Sequence, residues 1–447
     1  MSRGVMGTAG EAARPISRRA ALRMGAALAG MAPLARADDA AGLAAEAAHA
    51  EIWRRFVDRR IDALLHYAGL DSEVILPTPE ECGACMPNGM SWSLPIEDGP
   101  FFGGIYLHGL CRRWAVRRDD EAADKARRIA SGLMKMAEIG QTPGFIARGL
   151  GADGRAHYPA SSEDQAFPWF YGLWRYARSG IAGEDERRAI VARMGAVARA
   201  IEGHGWQIPC DREGFGYRGG FHRPTGRDAS RLLLVLRALH ELDGDAHWLR
   251  EYRRLLLEPV GKSARTRAEL CAEGFDFGPP VADESHVWTT SMCQAALRGL
   301  VELEADGALR AAFQRGLDAS ADRASAHLGR AGRYDRANAL RFDPDWRFLN
   351  GAWKPQRTCD EAIALARSQL PLWAARSPRG PWEDDVVREP LFAAWVIALS
   401  GNPEIVARHR ESIVALLPRY EWRRLWTSSF FIAVNVQYDL VAGGGAP

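Results

Sequence analysis

Two kinds of helical segment, which differ in their pattern of apolar residues, alternate along this chain. Segments of the first kind, such as 101–116 and 391–399, are apolar or small on nearly every side, which is typical of a helix buried all round. Segments of the second kind, such as 121–138 and 184–201, carry one apolar stripe among Arg, Asp and Glu. That stripe predicts a helix with one face in water. Further examples are 167–177, 229–242 and 290–303 of the first kind, and 248–257 and 308–324 of the second.

Short polar turns separate the two members of each pair. The first four turns lie about sixty residues apart, and the wider gap before the fifth contains 359–375, which we also predict as a helix. Buried and half-buried helices that alternate about six times predict an all-α fold of two concentric rings, an (α/α)6 toroid of helical hairpins. A linear helical solenoid is the alternative, although its repeats are usually shorter. The turns are Arg118-Asp119-Asp120, Gly183-Glu184-Asp185, Asp243-Gly244-Asp245, Ala305-Asp306-Gly307 and Gly401-Asn402-Pro403.

The first 37 residues have the pattern of a twin-arginine signal peptide. Arg18 and Arg19 precede a mildly apolar run at 24–34, and Ala35-Arg36-Ala37 fits a cleavage site. The run is too short to span a bilayer. We therefore expect the twin-arginine export machinery as a partner, removal of residues 1–37, no stable membrane insertion, and a location in the periplasm or outside the cell.

The charge of the chain argues against nucleic acid as a ligand. It contains 58 Lys and Arg and 56 Asp and Glu, and without residues 1–37 the balance becomes slightly acidic. The remaining chain has no basic tract of the kind that binds nucleic acid. No Pro/Ser-rich linker divides residues 38–447, which we interpret as a single catalytic domain.

Seven cysteines follow the predicted signal peptide, so at least one of them has no partner within the chain. Cys82-Gly83-Ala84-Cys85 is flanked by prolines, which indicates a loop rather than the strand and helix of a redox motif. A second cysteine pair at zinc-ligand spacing is missing from the sequence. We therefore predict a structural role for the cysteines, and the sequence predicts neither a metal nor a cofactor.

Carboxylates gather where the chain enters each fully apolar helix. In a ring of hairpins these entry points meet at one end, where the long connections also bring aromatic, Arg and His side chains. Such a surface suits sugars, whose apolar faces stack on Trp and Tyr and whose polar groups bind carboxylates and Arg. We expect the opposite end, made of tight turns such as Asp243-Gly244-Asp245, to be inert. The candidate residues are Trp92, Glu97, Asp98, Arg148, His157, Tyr158, Asp164, Gln165, Trp206, Tyr217, His222, Arg223, Trp288 and Trp353, with Trp346 and Arg388 as further candidates.

A plainer interpretation is open for each acid taken alone. Asp and Ser are preferred at helix N-caps, and acids favour the positive end of the helix dipole. Ser162 with Gln165 also fits a capping box. The cap interpretation does not account for the accompanying aromatic residues.

Two short motifs resemble the six-hairpin glycosidase superfamily, and within it the unsaturated glucuronyl and rhamnogalacturonyl hydrolases. They are Glu97-Asp98-Gly99-Pro100-Phe101 and Glu163-Asp164-Gln165. Those families place one aspartate at the head of each of two successive inner helices, and Asp98 and Asp164 are the matching positions. This chain lacks the histidine that precedes the first aspartate in those families. The resemblance therefore implies the scaffold and its two acids rather than a particular sugar.

Together these observations predict an exported carbohydrate-active hydrolase acting on oligosaccharides, including uronic-acid-containing ones. Glycoside hydrolysis needs a proton donor and a second carboxylate. We expect Asp164 to be the acid/base, with a pKa raised by the nearby Phe167, Trp169 and Phe170. Asp98 would be its partner.

Two other functions stay open. A polysaccharide lyase on a similar toroid would use Tyr158 or Tyr217 as base or acid, and Arg148, Arg223, His157 or His222 to neutralise the uronate. A sugar-binding protein without catalysis would use the same aromatic surface.

Overall fold

The computed structural model of the chain describes residues 38–262, 264–277 and 286–444. The predicted signal peptide lies outside the described residues, as do Asp283 and Glu284 of one acidic connection. Helices make up 66% of the structure, which confirms the all-α prediction. Among the described residues, no helix is both long enough and apolar enough to cross a bilayer.

The helices follow one another with long irregular connections between pairs. The first, α1, covers 38–51 and continues as a π-helical turn, Ile52–Phe56. The other helices are α2 (Pro79–Ala84), α3 (Gly99–Arg117), α4 (Asp120–Glu138), α5 (Glu163–Ala177), α6 (Glu184–Gly203), α7 (Gly226–Asp243), α8 (Ala246–Leu257), α9 (Arg267–Ala272), α10 (Val287–Leu303), α11 (Gly307–Ala324), α12 (Cys359–Arg376), α13 (Arg379–Glu383), α14 (Glu389–Ser400), α15 (Pro403–Leu416) and α16 (Ile432–Gly444).

The β-structure of the described residues consists of three two-stranded antiparallel sheets in the connections and one isolated bridge between Tyr67 and Thr427. The sheets pair β1 (Val57–Asp58) with β2 (Ala63–Leu64), β3 (Gln207–Pro209) with β4 (Tyr217–Gly220), and β5 (Pro259–Val260) with β6 (Arg265–Thr266). In the second sheet, Gln207 is opposite Gly220 and Pro209 is opposite Tyr217, so the register shifts by a bulge. These hairpins shape the connections and contribute buried residues such as Leu64 and Ile208 to the core.

Six of the described helices are buried along most of their length, and five of them are the segments that the sequence pattern predicts; the sixth, α16, was not predicted. They contact one another in chain order: α3 packs on α5, α5 on α7, α7 on α10, α10 on α14, α14 on α16, and α16 on α3. Asp439 on α16 helps to join three of them, because its Oδ2 accepts hydrogen bonds from Trp395 Nε1 and His108 Nε2, each at 2.9 Å. One hydrophobic core runs from Ala41 to Leu440 through these contacts.

The half-buried helices lie outside the buried ones. Helix α4 contacts α3 and α5, α6 contacts α5 and α7, and α11 contacts α10 and α14. Helix α8 contacts α7, and helix α15 contacts α14. Helix α1 reaches both α3 and α16, since Glu46 binds Arg113 and Tyr438. The helix predicted at 359–375 is α12, and it packs on α13 and the 3-10 turn Trp346–Ala352.

The turns between paired helices are short because each turn satisfies the helix ends locally. Gly244 and Gly401 end their helices in the left-handed conformation, with φ of 72° and 62°. The side chains of Asp119, Asp245 and Asn402 then accept hydrogen bonds from backbone N–H groups of the next helix. The turns between paired helices therefore carry their own caps.

Helices α3 and α5 cross at very short range. A Cβ on Gly104 would overlap the carbonyl oxygen of Pro168, and a Cβ on Gly172 would overlap the backbone of Gly104. Only glycine allows the two backbones to lie this close. The crossing draws together the N-terminal ends of both helices, where the acids at 97–98 and 163–164 are found.

We expect Gly104→Ala to destabilise the protein by about 2 kcal/mol or more, because the new methyl group meets backbone that cannot move aside. Gly195→Ala in α6 is the matched control, since its Cβ would meet nothing within 4 Å. That change should stabilise the protein by about 1 kcal/mol through helix propensity. Urea denaturation of both variants measures the difference, and equal effects would contradict the close crossing.

Candidate active site

A cavity of about 300 Å³ opens among the long connections at the N-terminal ends of α3, α5 and α10. A second cavity of about 250 Å³ adjoins it and shares Glu97, Asp98, Trp288, Leu370 and Arg388 with the first. Acidic, basic and aromatic side chains line both. The first cavity is lined by Trp92, Glu97, Asp98, Arg148, Ser162, Asp164, Arg218, His286, Trp288, Thr289, Leu370 and Arg388.

Asp98 is buried at the start of α3, with 3% of its surface exposed. Its Oδ1 accepts hydrogen bonds from Arg148 Nη2 at 2.9 Å and from Gln165 Nε2 at 2.7 Å. Its Oδ2 is buried and has no hydrogen-bond partner in the described part of the chain. Burial, together with the negative charge of Glu97, raises the pKa of Asp98 to about 6. Asp98 therefore holds a proton well above the usual range of a carboxyl group.

His66 and Glu97 form an ion pair beside Asp98. His66 Nδ1 lies 3.4 Å from Glu97 Oε2 and 3.9 Å from Asp98 Oδ2. Burial lowers the pKa of His66, but the hydrogen bond and charge of Glu97, with the charges of Asp98 and Asp384, raise it overall. Burial raises the pKa of Glu97, but His66 and Arg148 bring it below its ordinary value. The cluster thus combines an ion pair with an acid that keeps its proton up to a pH of about 6.

The same three side chains are the candidate metal ligands among the described residues. The ligand atoms of His66, Glu97 and Asp98 all lie within 4.8 Å of one another. Arg148 places a positive charge 2.9 Å from Asp98 Oδ1, which opposes binding of a cation at that oxygen.

Asp164 lies on the first turn of α5 and has the opposite electrostatic environment. Arg231 Nη1 donates to Asp164 Oδ1 at 3.0 Å. Burial raises the pKa of Asp164, but the positive charges of Arg231, Arg227 and Arg218 lower it overall. The sequence analysis predicted the reverse, an Asp164 pKa raised by neighbouring aromatic rings. The aromatic residues are present, but a buried guanidinium lies against the carboxylate.

The capping box predicted for Ser162 and Gln165 is wrong. Gln165 turns its side chain to Asp98, and Ser162 Oγ accepts a hydrogen bond from Arg148 Nη1 at 3.3 Å. Arg148 also donates from Nε to the backbone carbonyl of Glu97 at 2.9 Å. These side chains therefore connect the two helix starts instead of capping one helix.

Aromatic and basic groups complete the cavity wall. The Arg388 guanidinium lies 4.4 Å from the ring centroid of Trp288 and pairs with Asp384 at 2.9 Å. Arg218 reaches the cavity from strand β4, and its Nε is buried without a hydrogen-bond partner among the described residues. Gly219 follows it with φ of 66°, where a Cβ would overlap the carboxylate of Glu163. The glycine lets the hairpin close over that acid.

Of the residues predicted from the sequence, six line the first cavity and Gln165 supports it from behind. The six are Trp92, Glu97, Asp98, Arg148, Asp164 and Trp288. Gln165 is fully buried, and its Oε1 accepts from the Phe101 backbone N–H. Arg388, a further candidate from the sequence, lines this cavity as well, and so does His286.

The other predicted residues lie elsewhere. Tyr158 and Trp206 are buried in the packed interior, where the Tyr158 hydroxyl donates to the Met86 carbonyl. His157 pairs with Asp211 at 2.8 Å. Tyr217 and His222 are both exposed, and Tyr217 contacts His204. Arg223 lies 3.3 Å from Glu163. Trp353 donates a hydrogen bond to the Ala84 carbonyl, and the buried Trp346 donates one to the Ile75 carbonyl.

Sequence reasoning missed His66, Arg218 and Arg231. His66 lies in an irregular segment before the first hairpin, where no periodicity marks it. Arg231 belongs to a buried helix and meets Asp164 only through packing of α7 on α5. Arg218 lies among four glycines at 214, 216, 219 and 220, and this arginine in a glycine-rich segment was the one available sign.

No known protein-family profile matches this chain, and a comparison with curated proteins also yields no match. The function must therefore be argued from the geometry of the site.

The two aspartates should give opposite pH dependence of stability. The folded state favours protonated Asp98, because the pKa of Asp98 is about 6 there and near 4 in the unfolded chain. The contribution of Asp98 to the free energy of unfolding is therefore fully present below about pH 4 and is lost as the pH rises through about 6. Asp98→Asn cannot lose a proton, so its stability relative to the wild type should improve by about 2 kcal/mol between pH 4.5 and 7.5.

Asp164→Asn is the matched control for this measurement. In the wild type the pKa of Asp164 is lowered by folding. Asp164 therefore stabilises the folded state above its unfolded pKa, and this stabilisation is lost only as the pH falls below that value. The stability of Asp164→Asn relative to the wild type should change little over the same interval. Urea denaturation of the three proteins at both pH values decides the matter, and parallel behaviour of the two variants would contradict the assignment.

Proposed function

We propose that the helices form an (α/α)6 toroid. The cyclic contacts of α3, α5, α7, α10, α14 and α16 support an inner ring. Helices α1, α4, α6, α8, α11 and α15 would then form the outer ring. In this arrangement the capped turns lie at one end of the ring and the cavity lies at the other.

We propose further that the protein is a carbohydrate-active hydrolase of the six-hairpin glycosidase type, exported under the direction of residues 1–37. One observation carries the proposal: a proton-holding Asp98 and an ionised Asp164 line the same cavity. Two carboxyl groups held in different protonation states are what acid/base cleavage of a glycosidic bond needs.

The geometry favours Asp98 as the proton donor and Asp164 as the carboxylate, which reverses the roles expected from the sequence. Asp98 would protonate the leaving oxygen, or the ring double bond of an unsaturated uronide. Arg148 and Gln165 would then hold the carboxylate that Asp98 becomes. Asp164, kept ionised by Arg231, would accept a proton from the attacking water.

The cavity walls support an anionic sugar as substrate. Trp92 and Trp288 offer ring faces for stacking. Arg218 and Arg388 place guanidinium groups on the same wall, and Arg groups bind carboxylates through paired hydrogen bonds. A uronic acid residue fits this combination of flat apolar faces and positive charge.

A lyase receives less support from the arrangement of tyrosines. Elimination needs a base near the uronate, but Tyr158 is buried against Met86 and Tyr217 lies exposed beside His204. A binding protein without catalysis would gain nothing from a raised pKa at Asp98. Both alternatives are tested by the experiment below.

We expect Asp98→Asn and Asp164→Asn each to lower kcat about 10²- to 10⁴-fold on oligosaccharides that the wild type cleaves, because each removes one proton-transfer group. Wild-type kcat/KM should fall as the pH rises above about 6, where Asp98 loses its proton. Release of reducing sugar measures the rate. Asp245→Asn at the capped-turn end is the control and should keep full activity.

The substrate panel for this assay contains neutral, uronate-bearing and unsaturated uronate-bearing oligosaccharides. Loss of the ultraviolet absorbance of the conjugated uronate indicates an unsaturated-uronide hydrolase, and its appearance indicates a lyase. Saturable binding without turnover on every member would contradict the hydrolase and favour a binding protein. Full activity in both aspartate variants would remove the basis of the proposal.

Arg218→Gln should raise KM for uronate-bearing substrates about tenfold, which corresponds to about 1.4 kcal/mol of lost carboxylate binding. The KM for neutral oligosaccharides should stay close to the wild-type value. Arg188→Gln, on the exposed face of α6, removes the same charge far from the cavity and serves as the control. An equal change in KM for neutral and anionic substrates would show that Arg218 acts only on folding.

A further inference from the structure

Three buried cysteines form a small cluster beside the cavity. Cys85, Cys210 and Cys359 are each at most 4% exposed, and together with Phe215 they form an apolar cluster separate from the main core. The cluster lies between the β3–β4 hairpin and the first turn of α12. Trp92, which lines the cavity, packs against it.

Two of these thiols interact. The interaction between the side chains of Cys210 and Cys359 raises the pKa of Cys210 and lowers the pKa of Cys359. Their backbones are held at adjacent points of the same hairpin, since Cys210 N–H donates to the Gly216 carbonyl at 2.9 Å and Cys359 N–H donates to the Phe215 carbonyl at 3.3 Å. Phe215 and Gly216 are consecutive residues, so the two cysteines are anchored side by side on the hairpin.

The other nearby cysteines are engaged differently. Cys85 Sγ accepts a hydrogen bond from Arg212 Nη1 at 2.7 Å. Cys82 packs into a different apolar cluster, with Tyr67 and Trp346, so the two cysteines of the Cys82-Gly83-Ala84-Cys85 segment do not share a cluster. The geometry therefore selects one pair.

We propose that Cys210 and Cys359 form a disulfide bond that ties α12 to the β3–β4 hairpin. The oxidant is a disulfide compound, either a small molecule or a thiol oxidoreductase. The thiolate of Cys359 attacks it, releasing one thiol, and the thiolate of Cys210 then displaces the second from the mixed disulfide. One S–S bond forms, two protons leave the cysteines, and the oxidant takes up two electrons as two thiols.

The local chemistry suits Cys359 as the attacking group. The hydrogen bond from Cys210 lowers the pKa of Cys359, and the same contact raises that of Cys210. Cys359 is also the first residue of α12, where the helix dipole favours a thiolate. In the cell the step rests on the proposed export, because disulfides persist in oxidising compartments.

The bond would join two walls of the cavity. Helix α12 carries Leu370, which lines both cavities, and Trp373, which lines the second. Strand β4 carries Arg218, which lines the first. The cross-link would fix the distance between the apolar wall and the arginine that we assign to the anionic sugar.

The test is thiol labelling of the purified full chain after incubation with oxidised glutathione. The protein is denatured with an alkylating reagent, its mass is measured, and its tryptic peptides are mapped. We expect five of the seven cysteines to be labelled, with Cys210 and Cys359 recovered in one linked peptide. Seven labelled cysteines, or a linked peptide that contains a different pair, would overturn the proposal. The result does not depend on catalytic activity.

Variants in the same cluster provide the matched comparison. Cys85→Ser should still lose two labelled thiols on oxidation, whereas Cys210→Ser and Cys359→Ser should keep all their remaining cysteines labelled. Reduction with dithiothreitol should lower the melting temperature of the oxidised wild type by about 4 °C, because the cross-link restrains the unfolded chain. An unchanged labelling pattern between Cys85→Ser and Cys210→Ser would contradict the pairing.

Discussion

Where α3 crosses α5, backbone touches backbone. Gly104 faces the carbonyl of Pro168, and Gly172 faces Gly104 in turn. This contact limits how far apart the helix starts can be, so Asp98 and Asp164 open into one cavity. Arg148 and Gln165 then span the two starts with hydrogen bonds. A wider crossing would separate the carboxylates, and no side chain elsewhere could restore their relation.

The two aspartates show that the surroundings, more than the residue type, set the protonation of a buried acid. Asp98 shares its burial with a neighbouring carboxylate, so removing its proton adds a second negative charge to a dry site. Asp164 is more exposed than Asp98, with 31% of its side chain accessible, and the positive charges of three arginines lower its pKa. Neither environment comes from adjacent residues alone. Arg231, the closest partner of Asp164, belongs to the next buried helix.

The sequence was informative wherever local burial decides the structure. The helix predicted at 359–375 is found at Cys359–Arg376, and the positions of Asp98 and Asp164 followed from recognisable helix starts. It was uninformative about aromatic residues in the connections, such as Trp206 and Tyr158. These segments are irregular, so they have no hydrophobic periodicity that would distinguish buried from exposed side chains. The sequence could not show the partners of Asp164 either, since Arg231 approaches from 67 residues away.

The capped turns have a consequence for protein engineering. Each turn closes its hairpin with its own glycine or capping side chain, as at Gly244 and Asp245. Selection, natural or directed, can therefore vary the exposed part of a connection, such as Tyr217 in the β3–β4 hairpin, and alter what the cavity accepts. The core residues of that connection, such as Ile208 and Phe221, would have to be kept, so a grafted loop should replace only the exposed positions.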